Sequence, residues 1–250
     1  MIKLNTENVW TITTKDLGLF RKKKLILYST LILPLVLSIG LPTLVFFIVN
    51  NKSFTPVTIR AMFPIFDAFS FFFMILSAII PTVIASYSFV GEKTEKTLEP
   101  LLATPVTDDE ILLGKSLAAF LPVICMIFIS ATIFMVLMDI FTFSVVTYLY
   151  FPNWNFAITI LLNSPAACIM SIELSVIISS RVTDIRSAQQ LSGLAFIPFI
   201  LMYLLAELHV ITLDINTLLI IAGIIVLIDI CLFFVSRGLF QREEILTKWK

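Results

Sequence analysis

Residues Gly91–Lys115, GEKTEKTLEPLLATPVTDDEILLGK, decide how this chain is organised. They form the longest charged stretch in a sequence of 250 residues that is 59% hydrophobic and only 14% charged. The apolar runs on either side, 64–90 and 116–140, are each long enough to cross a bilayer as a helix, which takes about 20 residues. Because both neighbours enter the membrane, the charged stretch must fold on one side of it. The composition therefore indicates a polytopic membrane protein.

The stretch itself predicts two helices joined at a corner. Thr104-Pro105 ends the first helix near Ala103, because the residue before a proline avoids the helical region. Thr107 and Glu110 have the spacing of a capping box, which predicts that the second helix begins near Asp108. The first helix carries a polar stripe and an apolar stripe, formed by Glu92, Glu95 and Glu99 and by Leu98, Leu101 and Leu102. An ordinary solvated loop with good caps explains these spacings equally well.

The whole sequence predicts an all-α membrane protein with six transmembrane helices in a single domain. The predicted spans are the apolar runs 25–49, 64–90, 116–140, 156–180, 188–207 and 217–236. The charged stretch 91–115 lies between the second and third spans, and 237–250 forms a tail. The apolar, aromatic segment 141–152 either lies in the membrane interface or extends a helix.

Residues 1–24 predict an amphipathic helix that lies along the membrane interface. Thr13 and Asp16 interrupt its apolar half, and the basic run 21–24 follows it at the mouth of the first span. The alternative is a plain basic flank to a membrane helix. The apolar half consists of Val9, Trp10, Ile12, Leu17, Leu19 and Phe20.

The distribution of basic residues predicts the orientation of the chain. With the N-terminus in the cytoplasm, only Lys52 and Arg60 of the 17 lysines and arginines fall outside. Cytoplasmic loops carry an excess of Lys and Arg, so this asymmetry places 91–115 and both termini in the cytoplasm. We expect a multi-pass protein of the cell membrane.

The charged stretch resembles the signature loop of permease subunits of type 2 ABC exporters. Two positions depart from that pattern: Lys96, where the family often has glycine, and Thr107, where it often has serine. The segments RVTDIRSAQQ, 181–190, and LFQREEIL, 239–246, resemble two further cytoplasmic parts of the family. The matching residues of the loop are Glu92, Glu95, Thr97, Leu98, Glu99, Leu101, Leu102, Thr104, Pro105, Val106, Glu110, Ile111, Leu112, Leu113, Gly114 and Lys115.

This resemblance implies an ATP-driven exporter in which the chain forms half of the translocation pathway. It implies an ABC ATP-binding subunit and a second permease chain, identical or different, as partners. The sequence has no Walker loop, so ATP hydrolysis is expected in a separate chain, and this chain is expected to be neither an enzyme nor the holder of a cofactor. The residues expected to couple to the ATPase are Glu92, Glu95, Thr97, Leu98, Glu99, Leu101, Leu102, Thr104, Pro105 and Glu110.

Two acidic residues, Glu173 and Asp229, fall within the fourth and sixth predicted spans. A carboxylate at the centre of a span costs on the order of 2.5–3.5 kcal/mol unless it is paired or hydrated. We therefore hypothesise that both line an inward-facing vestibule or share a proton, although two protonated, hydrogen-bonded carboxyls fit equally well. Another class of function, an ion-coupled secondary transporter, would use the same two residues. Four acids near the outer ends are interpreted as solvated: Asp67, Asp139, Glu207 and Asp214.

Other classes of function find little support. A formal net charge of zero gives no basis for nucleic-acid binding. A membrane enzyme would need a nucleophile with a base, paired acids or a metal site, and the sequence has no H-E-x-x-H motif. Cys125, Cys168 and Cys231 all fall in predicted spans, so we expect neither a disulfide nor a metal site. The substrate stays open among drugs, sodium, lipids, peptides and polysaccharide precursors.

Overall fold

The computed structural model describes residues 5–50, 61–94, 106–208 and 210–239, and all regular secondary structure in these ranges is helical. The corner at Thr104-Pro105, most of the first predicted coupling helix and the tail 240–250 lie outside these ranges. The α-helices are α1 (Thr6–Lys22), α2 (Lys24–Val49), α3 (Phe63–Ser86), α4 (Glu92–Thr94), α5 (Asp108–Val146), α6 (Trp154–Ile158), α7 (Ser164–Arg181), α8 (Ile185–Gly193), α9 (Ile197–Glu207) and α10 (Ile215–Leu239).

Six helical segments of the described chain are long and apolar enough to cross a membrane, which confirms the predicted all-α, six-span architecture. Three of them contain an irregular turn: π-helical at Tyr87–Gly91 and Thr159–Asn163, and 3₁₀ at Leu194–Phe196. We number them spans 1 to 6; they comprise Ile26–Val49, Phe63–Gly91, Asp108–Phe143, Trp154–Arg181, Ile185–Glu207 and Ile215–Leu239.

Span 3 begins where the capping box predicts. The Glu110 N–H donates to the Thr107 hydroxyl at 3.4 Å, and the Thr107 N–H donates to Glu110 Oε2 at 3.0 Å. Helix α5 continues without interruption from Asp108 into the apolar run and on to Val146. The second helix of the charged stretch and the third span are therefore one rigid element, and α5 also takes up half of the ambiguous segment 141–152.

Helix α1 packs against the start of span 3. Val9, Ile12 and Phe20 are buried, whereas Trp10 and Leu19 are 59% and 41% exposed. The predicted apolar half of α1 is thus divided between a face that contacts the protein and a face that stays open. That open face is consistent with the predicted position along the interface, which stays a prediction.

Glycine at position 114 sets how closely α1 approaches span 3. A Cβ at Gly114 would lie 2.9 Å from Ile12 Cβ and 3.0 Å from the Val9 carbonyl oxygen. The Thr13 hydroxyl donates to the Gly114 carbonyl at 3.0 Å. Since a side chain has no room here, glycine allows the backbones to meet and brings the buried face of α1, with Ile12, Thr13 and Asp16, onto span 3.

At the opposite end of the bundle, two acids organise the loop between spans 3 and 4. Asp139 is buried and accepts the N–H groups of Tyr150 and Phe151, each at 3.0 Å. Asp67 is half-buried and accepts from the Tyr150 hydroxyl at 2.8 Å and from the Asn155 amide at 3.0 Å. The interpretation of Asp139 as solvated is therefore wrong, because backbone donors of the loop replace water around it, whereas Asp67 keeps part of its exposure and lines an open pocket.

The contact at Gly114 predicts that Gly114→Ala destabilises the protein, because the new methyl group meets a backbone carbonyl that cannot rotate away. Overpacking of this kind costs about 1–3 kcal/mol, so we expect a lower midpoint of thermal unfolding in detergent. The matched control is Gly223→Ala in span 6, where nothing lies within 4 Å of the added atom. That substitution should be neutral or stabilising, since alanine favours a helix. Equal midpoints for Gly114→Ala and the wild type would contradict the close packing.

Candidate functional site

The end of the bundle that carries the charged stretch, which we call the basal end, contains a buried ammonium group. Lys115 is fully buried two turns into span 3. Its Nζ lies 2.6 Å from Glu92 Oε2 and 3.5 Å from Asp16 Oδ2, and it donates to the Ser88 carbonyl oxygen at 2.8 Å. A buried charge is tolerated only when it is paired and hydrogen-bonded, and these contacts meet that condition.

The partners of Lys115 come from different parts of the chain. Asp16 lies on α1, Ser88 lies in the π turn that ends span 2, and Glu92 follows that turn. The Ser88 hydroxyl donates to Asp16 Oδ2 at 2.7 Å, and Lys15 Nζ lies 3.0 Å from Glu92 Oε1. Two lysines and two acids thus form a neutral group, which we call the basal cluster: Lys15, Asp16, Ser88, Glu92 and Lys115.

The charge state of Glu92 follows from its surroundings. Burial raises the pKa of the Glu92 carboxyl, but the charges of Lys115 and Lys15 and the hydrogen bonds from both outweigh burial. The pKa therefore lies below its ordinary value of 4.5. At neutral pH Glu92 is ionised and provides the counter-charge that Lys115 requires.

A second contact ties α1 to the start of span 3. The buried Glu110 accepts the Asn5 N–H at 2.7 Å and the Asn8 side-chain amide at 3.1 Å, in addition to the Thr107 N–H. One carboxylate therefore caps span 3 and holds the N-terminal end of α1. Together with the basal cluster, it attaches the segment 5–16 to span 3 at both of its ends.

Of the predicted coupling residues, the structure describes Glu92 and Glu110. Both side chains are buried in contacts with α1 and span 3. The two residues bracket the part of the loop whose contacts with a partner were predicted. The other predicted coupling residues lie outside the described ranges: Glu95, Thr97, Leu98, Glu99, Leu101, Leu102, Thr104 and Pro105.

The two intramembrane acids lie near one another. Glu173 and Asp229 are each 8% exposed, on spans 4 and 6, and are close enough to interact electrostatically. Glu173 Oε2 and Asp229 Oδ1 are buried without a hydrogen-bond partner in the described protein. The structure therefore brings both carboxyls into one region of the bundle, separate from the basal cluster.

Sequence reasoning missed Lys15, Asp16, Ser88 and Lys115 as members of a site. One signal was present: Thr13 and Asp16 interrupt the apolar half of α1, and both are buried against span 3. Polar residues on an apolar face predict a buried partner, but the sequence does not say which residue that partner is.

We expect Glu92 and Lys115 to stabilise the fold as a unit. Removing one partner leaves a buried charge that is no longer balanced, at a cost of about 3–5 kcal/mol. Glu92→Gln and Lys115→Met should each lower the free energy of unfolding measured by titration with denaturing detergent. The double variant should lose less than the sum of the two losses, because it removes both charges together. Strictly additive losses would contradict direct coupling.

The lowered pKa of Glu92 predicts how this contribution depends on pH. A carboxyl with a lowered folded-state pKa contributes full stability above its ordinary value of 4.5 and loses the contribution as pH falls through the lower folded value. The difference in melting temperature between wild type and Glu92→Gln should therefore be constant near neutral pH. It should shrink as the pH falls below 4.5. A difference that persists unchanged in strong acid would contradict an ionised Glu92.

A comparison with protein-family models adds to these observations. The model described as "ABC-2 family transporter protein" matches residues 20–185, which include spans 2 and 3, the charged stretch between them and most of the basal cluster. A search of curated proteins finds no significant match. The family match covers well over half of the chain, contains no nucleotide-binding domain and agrees with the six apolar helices. The chain therefore belongs to the ABC-2 family of transporter membrane proteins.

Proposed function

We propose that this chain is the permease subunit of an ATP-driven exporter. It forms half of a translocation pathway, and a second permease chain forms the other half. A separate ABC ATP-binding subunit docks on residues 91–115 and supplies the energy. Family membership supports the permease role, and the absence of a Walker loop from the sequence supports a separate ATPase.

The observation that carries the proposal is the Glu92–Lys115 ion pair. These residues stand at the two ends of the charged stretch, and their side chains meet at 2.6 Å inside the protein. The two ends of the charged stretch are therefore held together by this buried ion pair, which we call the base of the stretch. A partner that displaces the stretch would act on both residues of the base simultaneously.

The basal cluster provides a route from that base into the membrane. Span 2 enters the cluster through Ser88 and span 3 through Lys115, while α1 enters through Asp16. Buried ion pairs and close packing resist independent movement of these elements. A docked ATPase that changes shape would therefore move α1 and the two spans as one body.

This proposal includes an orientation with both termini in the cytoplasm. The asymmetry of the basic residues supports it, since Lys52 and Arg60 alone would lie outside. The charged stretch then faces the compartment that contains ATP. Glu173 and Asp229 are proposed to lie on or beside the path of the substrate, because unpartnered acids inside a membrane protein usually mark such paths.

The proposal predicts that Leu98→Asp and Glu99→Arg separate the permease from its ATPase. Each alters one of the stripes of the first predicted coupling helix, in the part that lies outside the described residues. Co-purification of the ATP-binding subunit from membranes should fall by at least tenfold, whereas the amount of permease in the membrane should stay the same. Asp214→Arg, an acid-to-arginine change at the opposite end of the bundle, is the matched control and should retain the partner. Normal retention in both loop variants would refute the docking site.

A further inference from the structure

A groove between spans 3, 4 and 6 lies above the basal end and is separate from the basal cluster. It has a volume of about 240 Å³, and Leu117 and Ile169 at its rim are 37% and 39% exposed. The groove is therefore open on the side of the helix bundle. Apart from Ser116, Glu173 and Ser236, the side chains that line it are apolar, including Leu113, Phe120, Ile172, Val176 and Phe233.

One carboxyl group, that of Glu173, lines this apolar groove. Its Oε2 atom is buried without a hydrogen-bond partner. Asp229 lies beside it, and its Oδ1 atom is also buried without a hydrogen-bond partner. Within the described ranges, no lysine or arginine forms an ion pair with either acid. This region therefore contains two acids without a basic partner among the described residues, whereas the acids of the basal cluster lie beside lysines.

An ion pair joins spans 3 and 6 near the basal end of the groove. Arg237 donates to Asp109 through Nε at 2.8 Å and through Nη2 at 2.6 Å. Asp109 precedes the groove residue Leu112 by three positions on span 3, and Arg237 directly follows Ser236 on span 6. This two-pronged contact therefore ties together two of the three spans that line the groove.

We propose that this groove binds a lipophilic amine, with the ammonium group beside Glu173 and the apolar part against the groove wall. The cation supplies the hydrogen-bond donors and the charge that the two acids lack, and the apolar lining excludes strongly hydrated ions. Drug-sized ligands occupy pockets of about 300–1,000 Å³. The smaller groove therefore holds the ammonium and the first part of a chain, while the remainder extends along the bundle surface. Binding of the amine does not depend on the proposed function. Only the further step, that the bound amine is a transported substrate, rests on it.

The test uses the full-length permease in nanodiscs of zwitterionic lipid. The probe is an undecane-diamine with a dansyl group on one nitrogen and a free, protonated amine at the other end. Acetylation of the free amine gives the neutral counterpart of nearly equal length. We expect the wild type to bind the cationic probe at least tenfold more tightly than the neutral one. Glu173→Gln should abolish this preference, while Asp229→Asn, which alters an acid outside the groove lining, should reduce it less.

Two further variants separate loss of the site from loss of the fold. Ile169→Trp fills the groove without changing a charge and should weaken binding of both probes. Asp214→Asn is the matched control and should bind both probes as the wild type does. Thermal unfolding is measured for every variant, and Ile169→Trp decides the outcome if Glu173→Gln fails to fold. Equal affinity of the wild type for both probes, or unchanged binding in a folded Glu173→Gln or Ile169→Trp variant, would overturn the site.

Probe binding and ATPase co-purification report different failures. If the loop variants retain the ATP-binding subunit but the groove variants lose the cationic probe, the docking proposal fails and the binding site stands. If the wild type retains its ATPase but does not distinguish the probes, the groove proposal fails and the permease function stands. Stimulation of ATP hydrolysis by the cationic probe in the complete complex, lost in Glu173→Gln, would identify the bound amine as a substrate.

Discussion

The buried ammonium group of Lys115 is the constraint on which the basal end of this protein depends. An unpaired ammonium inside a protein is too costly to maintain, so folding must bring acceptors to it. The nearest acidic neighbour in sequence, Glu110, is already used to cap span 3 and hold the start of α1. The acceptors therefore come from α1 and from the end of span 2, so the single charge links three elements.

The parts of the structure that depend on local interactions could be predicted from the sequence. The spans follow from apolar length, and the capping box follows from side chains three residues apart, so both are confirmed. The basal cluster could not be predicted, because Asp16 and Glu92 lie far from Lys115 along the chain. The interpretation of Asp139 as solvated was wrong because its partners are backbone N–H groups of a loop that folds back over it, and the sequence pattern does not show that loop conformation. Patterns of hydrophobicity predict which face is buried, but not which polar groups meet on it.

The two groups of acids illustrate different solutions to burial. Glu92 and Asp16 face lysines, so their charges are compensated within the described chain. Glu173 lines an apolar groove and interacts electrostatically with Asp229 beside it. A fold gains nothing in stability from the second arrangement, since burying a carboxyl without a partner is unfavourable whether it is ionised or neutral. The first group is suited to holding elements together, whereas the second is suited to meeting a ligand that arrives from elsewhere.

The Asp109–Arg237 contact connects these two regions. Asp109 belongs to the capped first turn of span 3, directly before the buried Glu110 and six residues before Lys115, so it moves with the element that the basal cluster holds. Because the contact is largely exposed, it contributes little to stability and can separate at low cost. A tilt of span 3 relative to span 6 would therefore part Asp109 from Arg237 before it disturbed the buried pairs. A rigid basal cluster beside a weak contact thus directs movement to the interface of spans 3 and 6, where Glu173 lines the groove.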